Sequence, residues 1–341
     1  MRCARHIVDR LAPNDAAALV AFDDKVRTLV PAGPVGDGSH LRQALAKIHE
    51  GGSTNLHGGW KKGADGLTSL AAEAAIARVI LLSDGNANVG EIDPGLIAGR
   101  CAAAAQAGVT TSTYGLGHHF NEELMVAMAK AGSGNHYYGD SAADLLEPFA
   151  EEFDLIASLF ARHLKLSLGA PEGVRIRLLN DYPVEEREGF PLVRLPDLPW
   201  GAEAWAIVEL EIEAAAAGAD TAHVLQAGVT GMTPDGVPVA FPEAMLSVGT
   251  VSPAAWDALL ADPLVAERQA EVETAQILQQ ARDAADAGDW EAIQALLAAA
   301  RARFERYPWA AEVLDQLAFL ANPENLMRFK KEALYSSLRM H

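Results

Sequence analysis

The 341-residue chain reads as an α/β protein: a doubly wound, mostly parallel sheet, followed by a β-sandwich and a C-terminal α-helical region. Three observations predict this. From Met1 to Phe160, short apolar runs alternate with amphipathic segments of helical length, the order strand, helix, strand, helix. From His163 to Phe241, six β-rich runs follow one another with only Pro, Gly and Asp turns between them. From Ser252 onward, Ala- and Glu-rich segments punctuated by Gly and Pro take over. The expected domains are residues 1–160, 161–250 and 251–341.

The elements follow in order. Met1 to Leu11 is an amphipathic helical pattern ended by Ala12-Pro13-Asn14-Asp15. Ala17 to Phe22 is a strand, and Asp23-Asp24-Lys25 joins it to Val26–Val30 by a link short enough only for an antiparallel hairpin. After a loop over Pro31–Gly38, Ser39 is placed to cap a helix with Leu41, Ala44, Leu45 and Ile48 on one face. Gly51-Gly52-Ser53-Thr54-Asn55-Leu56 is a polar turn into a helix running to about Ala75, with Thr54 or Ser53 as its cap. Ala77 to Ser83 has the length and β-branched content of a strand buried on both faces, and it stops at Asp84-Gly85-Asn86. Pro94–Ala107 is a helix closed by Gly108, Val109–Tyr114 a strand, and Asn121 the cap of the next helix. Gly134–Tyr138 is a final strand. Leu146, Phe149, Phe153, Ile156 and Phe160 then form one stripe of a helix beginning near Pro148.

Composition narrows the function classes. Half of the residues are hydrophobic, enough for proper cores and too many for a disordered chain. A formal net charge of −19 opposes attraction to phosphate backbones and anionic lipid, so nucleic acid is not an expected partner. No apolar stretch approaches a membrane span, and membrane insertion is not expected. Cys3 and Cys101 cannot make a disulfide framework; they read as small buried residues in a reducing, cytoplasmic compartment.

Asp84 is the first candidate for chemistry, because ligands of open α/β sheets bind at the carboxyl ends of the strands. Its alternative is a plain Asp-Gly turn. His118-His119 lies at the same edge, as a metal pair or a solvated loop. Asp23-Asp24 reads as a hairpin turn, Trp200, Trp205 and Trp256 as packing residues, and Glu185-Glu186-Arg187-Glu188 as a solvated loop. No nucleophile, base and acid fall into a recognisable arrangement.

Gly51-Gly52-Ser53-Thr54-Asn55-Leu56 and Val79-Ile80-Leu81-Leu82-Ser83-Asp84-Gly85 resemble the second and third metal-site loops of the von Willebrand factor A domain. The resemblance spans roughly Met1 to Phe160, and Gly115-Leu116-Gly117 with Asn121-Glu122-Glu123-Leu124 looks like bacterial members. The β-rich region that follows is similar to the inter-alpha-trypsin-inhibitor heavy chains. What the resemblance implies is a non-enzymatic module with a protein partner at the carboxyl edge of its sheet. Thr54 and Asp84 would hold Mg²⁺ or Mn²⁺ directly or through water, as hard oxygen donors suit. Gly52, Ser53, Asn55, Gly85 and Asn86 would support that surface.

The family's first metal loop, Asp-x-Ser-x-Ser, is nowhere in the chain. Metal is therefore expected to bind weakly or not at all. The sheet is also expected to lack a central strand between those at Ala17 and Ala77. Another copy could supply it by self-association, the neighbours could close up, or the natural protein could start further upstream, which is the favoured expectation. Two other functions stay open: a Mg²⁺-dependent hydrolase or phosphatase using Asp84 as ligand or nucleophile, and a metal-independent scaffold acting through the helical tail.

Overall fold

A computed structural model describes residues 2–49, 51–71, 76–117, 119–187, 190–213 and 221–340. In chain order the elements are α1 (Arg2–Arg10), β1 (Ala16–Phe22), β2 (Val26–Pro34), α2 (Ser39–Leu45), α3 (Leu56–Ala71), β3 (Ala77–Ser83), α4 (Pro94–Gln106), β4 (Val109–Leu116), α5 (Glu122–Ala131), β5 (His136–Gly139) and α6 (Leu146–Ala157). There follow β6 (Leu159–Gly169), β7 (Val174–Leu178), β8 (Val184–Arg187), β9 (Phe190–Arg194), β10 (Leu198–Pro199), β11 (Val208–Ile212), β12 (Thr221–Met232), β13 (Pro238–Ala240) and β14 (Ala244–Gly249). The last are α7 (Pro253–Asp257), α8 (Pro263–Asp286), α9 (Trp290–Arg303), α10 (Pro308–Leu320) and α11 (Leu326–Leu338). The chain divides into two units: Met1–His163 with Pro196–Ala202 and Met232–Val239, and Leu164–Leu195 with Glu203–Gly231 and Ala240–His341.

In the first unit β3, β4 and β5 form a parallel sheet in that order, with Ala77 opposite Val109 and Thr113 opposite His136. The β1–β2 hairpin is a separate antiparallel sheet. Among the described residues no ladder joins the two sheets.

Helices on both faces connect the two sheets. Val79 of β3 packs under Gly63 of α3, and Gly59, one turn earlier, leaves the room that the Phe22 ring of β1 occupies. On the opposite face Ile80 and Leu82 pack with Cys3 and Ile7 of α1, while Ala4, Val8 and Leu11 of the same helix pack with Ala17 and Leu19 of β1. The alternation of β3 side chains therefore assigns α3 and α1 to opposite faces. Cys3 and Cys101 are both buried and reduced, and burial pushes the Cys101 thiol up to about 12.

Several local expectations need correction. Ser39 does not cap α2; Gly38, with φ 67°, precedes the helix, and the Asp37 carboxylate accepts from the Ser39 N–H at 2.9 Å. α6 begins at Leu146 rather than Pro148, and Phe160 belongs to β6. Val184–Arg187 is a strand, not a loop, because Glu185 pairs with Arg194 across the ladder. Trp200 and Trp256 are exposed instead of packed: the first lies in a turn beside the ring of Phe160, and the second sits on a five-residue helix with no buried face. Trp205 is half-buried under the Arg268 guanidinium, 4.8 Å from its ring centre.

In the second unit, β12 pairs with β14, and β6 with β9, which pairs in turn with β8. The β7–β11 pair packs its Ile176, Leu178 and Val208 against Leu166, Leu168 and Val193 of the larger sheet. The helices α8 to α11 close their own core around Leu278, Ile293, Leu297, Leu314 and Phe329. Among the described residues no helix is long and apolar enough to cross a membrane.

Candidate functional site

The carboxyl ends of β1 and β3 lie at one edge, tied together by the loop that enters α3. The Asn55 N–H donates to the Asp23 carbonyl at 2.7 Å, just past the end of β1. Thr54 donates its N–H to Asn88 Oδ1 at 2.8 Å, and its carbonyl accepts from the N–H groups of Asn88 and Val89. The Gly51–Asn55 loop therefore bridges the end of β1 and the loop after β3.

Asn55, not Thr54 or Ser53, caps α3: its Oδ1 accepts from the Gly58 N–H at 2.9 Å. Asparagine reaches the third amide of a helix as well as serine or threonine does, and here it sits one position nearer. The Thr54 hydroxyl, relieved of capping, turns to Gly85. Its Oγ1 is 2.8 Å from the point where a β-carbon on Gly85 would lie. The turn after β3 is held by Ser83, whose Oγ donates to the Gly85 carbonyl at 3.1 Å. Asp84, Gly52 and Asn86 are exposed; Ser53, Thr54, Asn55 and Gly85 are half-buried.

The structure thus brings the Thr54 and Asp84 loops into contact. It does not bring His119 to them as a metal pair; His119 is exposed, and His118 lies outside the described residues. Among the described residues no group of three or more His, Cys, Asp or Glu side chains converges as a metal site. One carboxylate and one hydroxyl leave most positions of an octahedral Mg²⁺ to water or to groups from elsewhere.

Two polar clusters escaped the sequence reading. His57, in the first turn of α3, is buried; its Nε2 accepts from Arg100 at 2.8 Å, and Arg100 meets Glu91 at 3.5 Å. Burial first, and then the Arg100 charge, hold the imidazole below its ordinary value. At the other end of β3, Arg78 Nη1 is 2.5 Å from Glu152 Oε1, its Nη2 is 3.1 Å from Asp197, and its Nε donates to Thr110 at 2.9 Å. Ser112, Asn135 and Tyr137 all donate to the same Glu152 carboxylate. The available signals were an arginine inside an apolar strand and a carboxylate three residues after Phe149 on an apolar stripe.

Residues 1–152 match the family model of the von Willebrand factor type A domain. Curated relatives include an uncharacterized protein of Synechocystis sp., 25% identical over 61% of this chain and 51% of its own, and the uncharacterized protein YfbK of Escherichia coli, 28% identical over 48% and 28%. The chain thus spans about half the length of the one and about a quarter of the other. Among solved structures, the von Willebrand factor type A protein from Catenulispora acidiphila is 19% identical with a TM-score of 0.73, covering 99% of this chain and 84% of that one. The ArnB paralog VWA2 from Sulfolobus acidocaldarius is 20% identical with a TM-score of 0.59, covering 98% and 82%. At such identities these likenesses speak for the fold alone. Over residues 1–152 the chain is thus similar to the von Willebrand factor type A domain family.

Proposed function

We propose that the chain is a non-enzymatic protein-interaction module whose partner docks at the carboxyl edge of the first unit, over Thr54 and Asp84. The observation that supports this most is the contact of the Thr54 hydroxyl with Gly85, beside an exposed Asp84. It presents hard oxygen donors on an open surface instead of in a cleft. Gly52, Ser53, Asn55 and Asn86 frame those donors. A partner carboxylate and water would complete a Mg²⁺ or Mn²⁺ shell there, and without them the ion is held weakly or not at all.

Calorimetric titration of Mg²⁺ into the purified chain tests the metal half. No binding below the millimolar range is expected, and a micromolar dissociation constant abolished by Asp84→Ala would overturn it. Partner capture by the wild type and by the Thr54→Ala/Asp84→Ala pair tests the surface, with loss of capture in the variant expected. Capture of the same partner at equal strength by both proteins would move the interaction elsewhere.

A further inference from the structure

We infer that the segment from Val251 to Ala261 is a docking motif, which lays Trp256, Leu259 and Leu260 as one helical face into an apolar groove, rimmed by Lys or Arg, on a partner protein. It lies in the second unit and shares no residue with the metal edge. Half of the large apolar side chains that stand exposed among the described residues fall between Met245 and Val265. Leu260 is 94% exposed, Trp256 67% and Leu259 61%. Every residue from Val251 to Val265 is exposed, so no core holds these side chains. Apolar residues exposed singly are ordinary, whereas a concentration of them marks a surface for binding.

The segment is nonetheless held in shape. Ser252 caps α7, its Oγ accepting from the Ala255 N–H at 3.3 Å, and Pro253 opens the helix. The Leu259 N–H donates to the Trp256 carbonyl at 3.0 Å, which carries the winding past Asp257. Asp262 then caps α8, accepting from the N–H groups of Leu264 and Val265. Trp256, Leu259 and Leu260 are spaced i, i+3 and i+4, the spacing of one helix face. Anchors at that spacing are what helix-in-groove recognition reads, and a turn formed beforehand loses less freedom on binding. Charge selects the partner. From Leu195 to Glu267 the chain has eleven Asp and Glu residues and no Lys or Arg, and Asp257 and Asp262 flank the two leucines. A second copy would set these carboxylates against their own kind, and an anionic lipid surface would repel them. A groove with a basic rim meets them with opposite charge.

The test uses the whole chain and a fluorescein-labelled amphipathic helical peptide of Leu and Lys, whose apolar face is rimmed by ammonium groups, with anisotropy as the readout. The same peptide with Glu in place of Lys is the charge control. The expected result is micromolar binding of the Lys peptide and binding of the Glu peptide about tenfold weaker or less. Trp256→Ala/Leu260→Ala should weaken the Lys peptide about tenfold or more, whereas Phe319→Ala, at an 82% exposed position of α10, should bind it as the wild type does. The double variant keeps the net charge, so attachment by charge alone shows as equal binding by variant and wild type, and that result overturns the inference. So do equal binding of the two peptides, an equal loss in Phe319→Ala, and absence of binding at millimolar peptide. Trp256 and Leu260 are both exposed, so the double variant should melt with the wild type; if it melts lower, Leu260→Ala alone gives the same readout. If light scattering shows a wild-type dimer that the double variant abolishes, a second copy is the occupant and the inference of a basic partner fails.

Discussion

Thr54 and Gly85 touch where only glycine leaves room: the Thr54 Oγ1 is 2.8 Å from the place of a Gly85 β-carbon, whereas the Thr54 Cβ is 3.9 Å from it. Gly85→Ala therefore collides with the hydroxyl and with nothing else nearby. The expected cost is ~1–3 kcal/mol, as for other overpacked contacts. In a Thr54→Ala background the collision is gone, and the same substitution should cost less by ~1 kcal/mol. Urea unfolding of the four proteins completes the cycle. An equal cost in both backgrounds would mean that the two loops do not meet as described.

Asn55 carries the cap of α3, which separates its role from that of the two hydroxyls before it. Asn55→Ala should lower stability by ~0.5–2 kcal/mol. Ser53→Ala should stay within ~0.5 kcal/mol of the wild type, since Ser53 caps nothing. Thermal unfolding of both variants checks the assignment, and a larger loss at Ser53 than at Asn55 would reverse it.

What could be read from the sequence was what is local. The strand ending in Asp84, the hairpin at Asp23-Asp24 and the Asn121 cap each announce themselves within a few residues, and the Asn121 side chain does accept from the Leu124 N–H at 3.0 Å. The absent ladder partner between β1 and β3 was expected only through the family resemblance, whose Asp-x-Ser-x-Ser loop the chain does not contain, and the two sheets are indeed separate among the described residues. Glu152 was hidden. An apolar stripe does not distinguish a solvated carboxylate from one that finds Arg78, 74 residues away, as its partner. β8 was lost for the same reason, its Glu185 being matched to Arg194 across the ladder. Thr54 was found, but with a competing role as a cap that only the Asn55 geometry removes.

Glu152 and Arg78 are both buried, so removing one leaves the other without its counter-charge. Glu152→Ala should cost ~3–5 kcal/mol, and Glu152→Gln less, because the amide oxygen still accepts from the donors on one side, Ser112 on Oε1 or Asn135 on Oε2. Burial raises the carboxyl, but Arg78 and these donors outweigh it and hold the group below its ordinary 4.5. A depressed carboxylate contributes stability that is complete above 4.5 and lost as the pH falls through the lower folded value. Unfolding followed from pH 6 toward pH 3 should show this loss in the wild type and a shallower one in Glu152→Gln. Parallel profiles would show that other carboxylates carry the acid sensitivity.

His57 gives the edge a second and milder pH dependence. Arg100 can only donate, so the 2.8 Å contact requires an unprotonated Nε2 on His57. Burial and the neighbouring guanidinium both disfavour the imidazolium, so the folded value lies below 6.5 while the unfolded chain takes up its proton near 6.5. In that window the unfolded state binds more protons. The contribution of His57 is therefore complete above pH 6.5 and declines as the pH falls toward the folded value. Because His57 opens α3 three residues after Thr54, its protonation breaks the Arg100 contact directly beneath the candidate edge. Imidazole resonances should titrate with a midpoint below 6.5 for His57, and the drop in melting temperature from pH 7.5 to 5.5 should shrink in His57→Gln. A midpoint at or above 6.5, or an unchanged drop in the variant, would show that the imidazole is not held neutral by Arg100 and burial.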